Sequence, residues 1–254
     1  MKHLPNILTL ANLFCGCIAI AFVLNSQPFF ANFNGEQYWV TGTEQAYYGG
    51  IFIFIAAVCD MLDGFAARAL NVHSPIGKDL DSLADVVSFG VAPSMILFKM
   101  LWASHMNNPN ALDVSMLAMS PAFLVACFAA LRLAKFNVTS AEQKAWFQGM
   151  PTPAVGLLVA SFPLINWYNP MRIGSKMQQT WIIYIIIAVL CWLMVSNIRF
   201  FKFLPSGFKL ANVWPQLIII LVAGIAAIFI NVAAIPLAFL LYILLSFVYK
   251  PQVA

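Results

Sequence analysis

Four aspartates are the side chains of this chain best suited to chemistry. Asp60 and Asp63 lie three residues apart in one apolar run, and Asp81 and Asp85 lie four apart in the next. Four unpaired carboxylates in membrane-type segments would cost on the order of 10–14 kcal/mol, at roughly 2.5–3.5 kcal/mol each. Because nearby Arg and Lys residues are too few to neutralise them, a divalent metal is the favoured counter-charge.

The spacing also predicts where these carboxylates meet. The pair Ser74-Pro75 is typical of a helix N-cap followed by proline in the first turn, so we expect a helix to begin there. At 1.5 Å per residue, both aspartate pairs then lie about 9–17 Å below the tip of a helical hairpin. Oxygen ligands without His or Cys favour Mg²⁺, Mn²⁺ or Ca²⁺ over zinc. Two such ions, with Arg68 at the mouth, suit chemistry at a pyrophosphate.

The composition predicts an all-α integral membrane protein. Hydrophobic residues make up 62% of the 254 residues and charged residues 9%, against about 25% charged residues in a soluble domain. The mean hydropathy of +0.86 excludes a soluble enzyme. At about 20 residues per span, the apolar runs predict a polytopic bundle of about eight transmembrane helices, at roughly 5–25, 46–71, 76–102, 116–138, 151–168, 179–198, 213–231 and 233–249. The last two ranges are also compatible with one broken hairpin.

The basic residues predict the orientation of this bundle. Eight spans place both termini on one side, together with ten Lys and Arg residues, and leave only Lys99, Arg172 and Lys176 on the other. Basic residues concentrate in cytoplasmic connections. We therefore expect a multi-pass protein of the cell (inner) membrane with cytoplasmic termini and the aspartate hairpin facing the cytoplasm. Residues 1–254 are predicted to form a single membrane domain. We expect this domain to be embedded in the lipid bilayer and to bind no nucleic acid.

The aspartates belong to a longer motif. The residues Asp60-Met-Leu-Asp63-Gly64-Phe-Ala-Ala67-Arg68 and Gly77-Lys-Asp-Leu-Asp81-Ser-Leu-Ala-Asp85 match the pattern DxxDGxxAR…GxxxDxxxD. This pattern resembles the signature of the CDP-alcohol phosphatidyltransferases, and every fixed position is present. Members of that family are polytopic enzymes with a six-helix core. They displace CMP from a CDP-linked lipid with an alcohol, using two divalent ions held by the four aspartates.

The resemblance implies roles for particular residues. The four aspartates would be metal ligands, and Asp85 would also be the catalytic general base. The CDP-lipid would bind at positions that the motif and the start of the first helix supply: Asn6, Asp63, Gly64, Ala67, Arg68, Ser74 and Gly77. From their place in the next cytoplasmic connection, Arg132 and Lys135 are expected to contact a lipid phosphate or the carboxylate of the acceptor.

Further stretches resemble the branch of this family that uses serine as the acceptor. They are Leu4–Gly16, Asp81–Pro93, Ala130–Asn137 and Gly149–Pro153. The likeness implies transfer of a phosphatidyl group from CDP-diacylglycerol to L-serine, giving phosphatidylserine and CMP, by a homodimer. It covers about residues 4–200, so we predict a catalytic core at 1–200 and a two-helix extension at 201–254. Ser94 departs from the pattern, where a smaller apolar residue is expected.

Three other functions fit parts of the sequence. Another acceptor, such as glycerol 3-phosphate, an inositol phosphate or choline, would leave the chemistry unchanged. A phosphorylated acceptor calls for more basic residues than Arg132 and Lys135 supply, which favours a small zwitterion. An ion or proton transporter also carries buried acids, but such sites usually lie at the midplane between repeated halves. A non-catalytic scaffold gives no reason for converging acids.

Overall fold

Helices make up most of the structure. The computed structural model describes residues 3–25, 29–33, 35–40, 43–70, 75–106, 114–139, 146–201 and 210–249. Within them the α-helices are α1 Leu4–Leu24, α2 Thr43–Ala69, α3 Pro75–Asp85, α4 Ala92–Met106, α5 Leu124–Thr139, α6 Thr152–Tyr168, α7 Ile173–Met177, α8 Thr180–Val195, α9 Leu210–Ile230 and α10 Ala234–Val248. A π-helical segment, Val86–Val91, joins α3 to α4, and a 3₁₀ segment, Met116–Phe123, leads into α5.

The helices have the lengths and composition of a membrane protein. Among the described residues, five helical stretches are long and apolar enough to cross a membrane, or six if the bent pair Pro170–Met177 and Thr180–Val195 forms one span. The predicted helical membrane bundle is therefore confirmed at this level. The number of eight spans and the orientation of the termini stay predictions.

The last of these stretches, Trp214–Val248, folds back on itself. The ring centroids of Trp214 and Tyr249, at its two ends, are 5.6 Å apart, whereas a straight helix would separate them by roughly 50 Å. The reversal lies at Asn231, whose φ of 48° interrupts the helical backbone. Thus α9 and α10 form an antiparallel hairpin.

Small residues let the first helices approach closely. A Cβ on Gly49 of α2 would lie 3.1 Å from the carbonyl oxygen of Ala19 on α1, and one on Gly50 would lie 3.0 Å from Leu164 on α6. On α1, a Cβ on Gly16 would lie 2.9 Å from Cα of Ser88 in the π-helical segment. Close backbone approach of this kind is typical of packed membrane helices. It places α1 directly against the region that follows Asp85.

Two short antiparallel ribbons interrupt the helical pattern, and the sequence analysis did not predict them. Strands β1 (Phe29–Phe33) and β2 (Glu36–Val40) pair from Phe29↔Val40 to Phe33↔Glu36, with Gly35 in the turn at φ 84°. Strands β3 (Trp146–Gln148) and β4 (Arg199–Phe201) pair from Trp146↔Phe201 to Gln148↔Arg199. The second ribbon ties the chain after α5 to the chain after α8.

Candidate metal centre

Helices α2 and α3 bring three of the four aspartates together. A carboxylate oxygen from each of Asp60, Asp63 and Asp81 lies within 4.8 Å of the others. Asp63 is buried, and the other two are half-buried. Because Asp60 and Asp63 are three residues apart on α2, both side chains share the helix face that looks toward α3. The convergence predicted from the spacing is therefore present for these three residues.

Asp85 lies beside this group, one turn further along α3 from Asp81. It is 7% exposed, and its carboxyl group lies within hydrogen-bonding reach of that of Asp60. Asp85 also interacts electrostatically with Asp60, Asp63 and Asp81. The four carboxyl groups thus form one electrostatic unit, in which three are closely spaced and both Asp63 and Asp85 are buried.

The donor set fits a divalent cation. At the separation of 4.8 Å or less that joins the three carboxylates, like charges repel by roughly 3–4 kcal/mol per pair at an effective dielectric constant of about 20. A cation among them turns that repulsion into attraction. Carboxylate oxygens without sulfur or imidazole are the ligands that Mg²⁺, Mn²⁺ and Ca²⁺ prefer.

Helix α1 forms the third side of the site through two residues that the sequence analysis missed. The Thr9 hydroxyl donates to Oδ2 of Asp63 at 2.6 Å. Nδ2 of Asn12 donates to Oδ1 of Asp85 at 3.3 Å, and the Ser88 hydroxyl donates to the backbone carbonyl oxygen of Asn12 at 3.0 Å. The sequence feature that could have indicated these contacts is the spacing of Thr9 and Asn12, two polar residues three apart in a 21-residue apolar helix.

Asn12 leaves one polar atom unsatisfied. Its Oδ1 is buried and has no hydrogen-bond partner among the described residues. Buried acceptors in native proteins are nearly always paired. The side chain therefore uses its donor on Asp85 and keeps an unused acceptor next to the carboxylate cluster.

The residues predicted to bind the CDP group that the structure describes lie on α1, α2 and α3, the three helices that form the site. The backbone N–H of Gly64 bonds to the Asp63 carboxylate. Arg68 is exposed one turn further on, and its Nη1 is 3.6 Å from the position that a Cβ on Gly64 would take. Its guanidinium thus lies over Gly64. The remaining predicted positions within the described residues are half-buried: Asn6 on α1, Ala67 on α2 and Gly77 on α3. Ser74 lies outside the described residues.

Arg132 and Lys135 lie within α5, inside the predicted helical range 116–138, and not in the connection that follows this helix. The helix continues to Thr139, so both side chains leave from its last three turns. Arg132 is only 5% exposed. Its Nη1 donates to Oγ1 of Thr152 at 3.0 Å, and its guanidinium carbon is 5.7 Å from the ring centroid of Phe136 and 5.9 Å from that of Phe147. Aromatic faces therefore stabilise this buried cation.

A cavity of about 160 Å³ opens beside these two cations. Arg132, Lys135, Gln148 and Ser196 provide its polar lining. The Nε of Arg132 is buried and has no hydrogen-bond partner among the described residues, although Arg132 interacts electrostatically with Asp85. The N–H group at Nε of the buried Arg132 guanidinium is therefore available to a ligand. The guanidinium lines the small cavity and also interacts electrostatically with Asp85 of the carboxylate cluster.

Comparison with known proteins identifies the family. The profile of the family described as CDP-alcohol phosphatidyltransferase matches residues 2–244. The chain belongs to the CDP-alcohol phosphatidyltransferase family. The resemblance carried by the aspartate motif is therefore confirmed, and so is the prediction of an enzyme of this class.

Curated relatives in this family have names that refer to serine. A CDP-diacylglycerol–serine O-phosphatidyltransferase of Bacillus subtilis is 31% identical over 204 residues, which cover 79% of this chain and 90% of the relative. A protein of the same name from Methanocaldococcus jannaschii is 36% identical over 153 residues, covering 59% of this chain and 62% of the relative. An archaetidylserine synthase of Methanothermobacter thermautotrophicus is 31% identical over 153 residues, covering 59% and 56%.

Proposed function

We propose that this protein transfers the phosphatidyl group of CDP-diacylglycerol to L-serine, giving phosphatidylserine and CMP for phospholipid biosynthesis. The observation that carries the proposal is the carboxylate cluster of α2 and α3, in which an oxygen from each of Asp60, Asp63 and Asp81 lies within 4.8 Å of the others and whose residues belong to the family signature. The name of the Bacillus subtilis relative supports serine as the acceptor.

The four aspartates would hold two divalent cations, Mn²⁺ or Mg²⁺, and the same oxygen ligands would also accept Ca²⁺. The all-oxygen donor set supports this assignment. When bound, the cations would supply electrostatic stabilisation of the pyrophosphate and of the departing CMP. Thr9 and Asn12 orient the carboxylates of Asp63 and Asp85 through their hydrogen bonds, and such supporting bonds commonly tune metal affinity.

Asp85 would act as the general base. Its carboxylate accepts the proton of the serine hydroxyl, and the serine oxygen forms a bond to the lipid-side phosphorus. The bond from that phosphorus to the bridging oxygen breaks, and CMP leaves with the electron pair. Burial of Asp85 and its hydrogen bond from Asn12 support this role, because they fix the carboxylate in one orientation.

The CDP group would lie at the mouth formed by α1, α2 and α3. Arg68 offers a planar fork of donors that matches phosphate oxygens. Gly64, beneath Arg68, carries no side chain that would fill the space under the guanidinium. The complete set proposed for this pocket is Asn6, Asp63, Gly64, Ala67, Arg68, Ser74 and Gly77.

Arg132 and Lys135 would bind the acceptor or the lipid phosphate. A carboxylate on the Arg132 guanidinium would use the unpaired Nε, and charge-assisted bonds of this kind are the strong ones. The two positively charged side chains of Arg132 and Lys135 suit the single carboxylate of serine. A phosphorylated alcohol would bring additional negative charge to the same place.

We place the site at the cytoplasmic face of the cell (inner) membrane, within eight spans and with both termini in the cytoplasm. Lys78 Nζ donates to the Asn137 carbonyl at 3.1 Å, which puts the start of α3 and the end of α5 at one end of the bundle. Arg172 and Lys176 lie in the turn between α6 and α8, at the opposite end. This distribution supports the positive-inside orientation. The homodimer rests on the resemblance alone.

An acceptor screen tests the proposal. Purified protein in lipid nanodiscs containing CDP-diacylglycerol is given Mn²⁺ or Mg²⁺ and one acceptor at a time: L-serine, glycerol 3-phosphate, inositol phosphate, choline or none. CMP release and the mass of the lipid product are measured. We expect release with serine alone and a product with the mass of phosphatidylserine. If CMP is released only with a phosphorylated alcohol, that alcohol and not serine is the acceptor. Cation flux in proteoliposomes without any CMP release would indicate a transporter.

A further inference from the structure

A second cavity, of about 290 Å³, lies between β4 and α10, apart from the aspartate cluster. Among the described residues, its polar lining consists of Arg199, Trp146, Asn197, Ser246 and Tyr249, and none of the seven described lining residues is acidic. It opens at the end of the bundle where α5, α8 and α10 finish. The catalytic proposal assigns no role to these residues.

The lining presents hydrogen-bond donors. The Arg199 guanidinium carbon is 4.6 Å from the Trp146 ring centroid, and among the described residues Arg199 pairs with no carboxylate. Stacking on a ring face leaves the in-plane N–H groups of arginine directed outward. Oδ1 of Asn197 accepts from Gln148 Nε2 at 2.6 Å, so the amide of Asn197 offers its N–H groups. These groups match phosphate oxygens, which accept only.

Aromatic residues place this cavity at the level of lipid headgroups. Trp146 and Tyr249 line it, and Trp214 packs edge-on against Tyr249 at 5.6 Å. Trp and Tyr concentrate at membrane–water interfaces, where one side of the ring is apolar and the other is polar. A ligand in this cavity would therefore meet the headgroup layer at one end and the hydrocarbon layer at the other.

An apolar stripe leads away from the cavity along α10. Its members are strongly exposed and follow helical spacing of four, three and one: Leu240 at 54%, Leu244 at 53%, Phe247 at 56% and Val248 at 74%. The opposite face of α10 is packed, because Tyr242 is fully buried and its hydroxyl donates to the Phe201 carbonyl at 3.0 Å. The stripe thus runs for about 12 Å along α10 and reaches Phe247, a residue of the cavity lining, so it offers an apolar track for the part of an acyl chain nearest the headgroup.

We propose that this cavity binds the phosphodiester headgroup of an anionic phospholipid, whose acyl chains lie along the α10 stripe. The cavity would select a headgroup with a net negative charge, because its lining supplies the Arg199 cation and the N–H groups of Asn197. A choline or ethanolamine cation would meet Arg199 and find no carboxylate among the lining residues that the structure describes. The bound lipid would hold the α9–α10 hairpin against β4, where the C-terminal extension meets the preceding helices.

Competition between two lipids tests the proposal without any enzymatic turnover. Delipidated protein in detergent is incubated with equal amounts of phosphatidylglycerol and phosphatidylcholine of identical acyl chains, and the retained lipid is counted by native mass spectrometry. We expect the wild type to retain phosphatidylglycerol at least about tenfold better, since charge-assisted hydrogen bonds distinguish the two. Equal retention of the two lipids by the wild type would overturn the proposal, whatever the variants do.

Two variants and a matched control localise the binding. Arg199→Gln removes the cation, and Asn197→Asp adds a negative charge with almost no change of shape. Both should lose the preference for phosphatidylglycerol. Arg172→Gln removes an exposed cation at the opposite end of the bundle and should keep it. A preference that survives both cavity variants would overturn the proposal. Serine-dependent CMP release, measured separately, decides the proposed function independently.

Discussion

At the scale of single residues, the site combines a local pattern with long-range contacts. The carboxylates could be predicted from spacing, because residues three or four apart share a helix face and charged groups in apolar helices need partners. Thr9 and Asn12 could not be assigned in this way. Their partners, Asp63 and Asp85, are 54 and 73 residues away in the chain, and only the packing of α1 against α2 and α3 brings them together.

Asp85→Asn tests the general base. The amide keeps the shape of the side chain but cannot accept the serine proton, so we expect serine-dependent CMP release to fall by roughly 100-fold or more. Nucleotide binding, measured by calorimetry with CDP, should persist. The control is Asp79→Asn, which removes an exposed carboxylate from the first turns of the same helix and should keep wild-type turnover. Full turnover by Asp85→Asn would remove this residue from the mechanism.

Thr9→Val tests whether α1 supports the metal centre. The change is nearly isosteric and removes the 2.6 Å hydrogen bond to Asp63. Loss of such a supporting bond typically weakens metal binding about 10- to 100-fold, so the Mn²⁺ concentration for half-maximal CMP release should rise by that factor. Thr180→Val removes a hydroxyl bonded to Ser104 far from the site and should leave the Mn²⁺ dependence unchanged. Identical dependence in all three proteins would show that Thr9 only packs.

At the scale of secondary-structure elements, long helices were predictable and short irregular elements were not. The predicted ranges 5–25 and 46–71 correspond to Leu4–Leu24 and Thr43–Ala69, because an apolar run of membrane length has few alternatives. The β1–β2 ribbon carried one usable signal, the sequence Asn34-Gly35, which is typical of a two-residue hairpin turn. The β3–β4 ribbon pairs three-residue strands separated by more than 40 residues and has no local signature.

Gly16→Ala tests the contact between α1 and the π-helical segment. The added Cβ would lie 2.9 Å from the backbone Cα of Ser88, so the two elements must separate and the Asn12–Asp85 hydrogen bond must lengthen. We expect a lower melting temperature, a destabilisation of about 1–3 kcal/mol from overpacking, and reduced CMP release. Gly224→Ala, where nothing lies within 4 Å of the new Cβ, should melt at or above the wild-type temperature because alanine favours the helix. Equal melting of both variants would contradict the close contact.

At the scale of the whole molecule, the predicted division into a core and an extension stays a prediction, but the two parts are packed together. The Tyr242 ring lies 5.4 Å from that of Phe200 and 4.9 Å from that of Phe201, centroid to centroid. The family match also continues to residue 244, beyond the predicted core boundary at 200. The boundary at 200 was predicted from motifs that all lie in the first 200 residues, and motifs carry no information about packing against later helices.

The central claim is that the carboxylates of α2 and α3 hold divalent cations on which serine-dependent transfer depends. Its most direct test is serine-dependent CMP release by one preparation, measured before chelation, after exhaustive chelation and during stepwise return of Mn²⁺ or Mg²⁺. We predict that release falls to background on chelation and returns with the metal in the wild type, but does not return in Asp60→Asn or Asp81→Asn. A chelated preparation that transfers the phosphatidyl group to serine at the full rate would contradict the account.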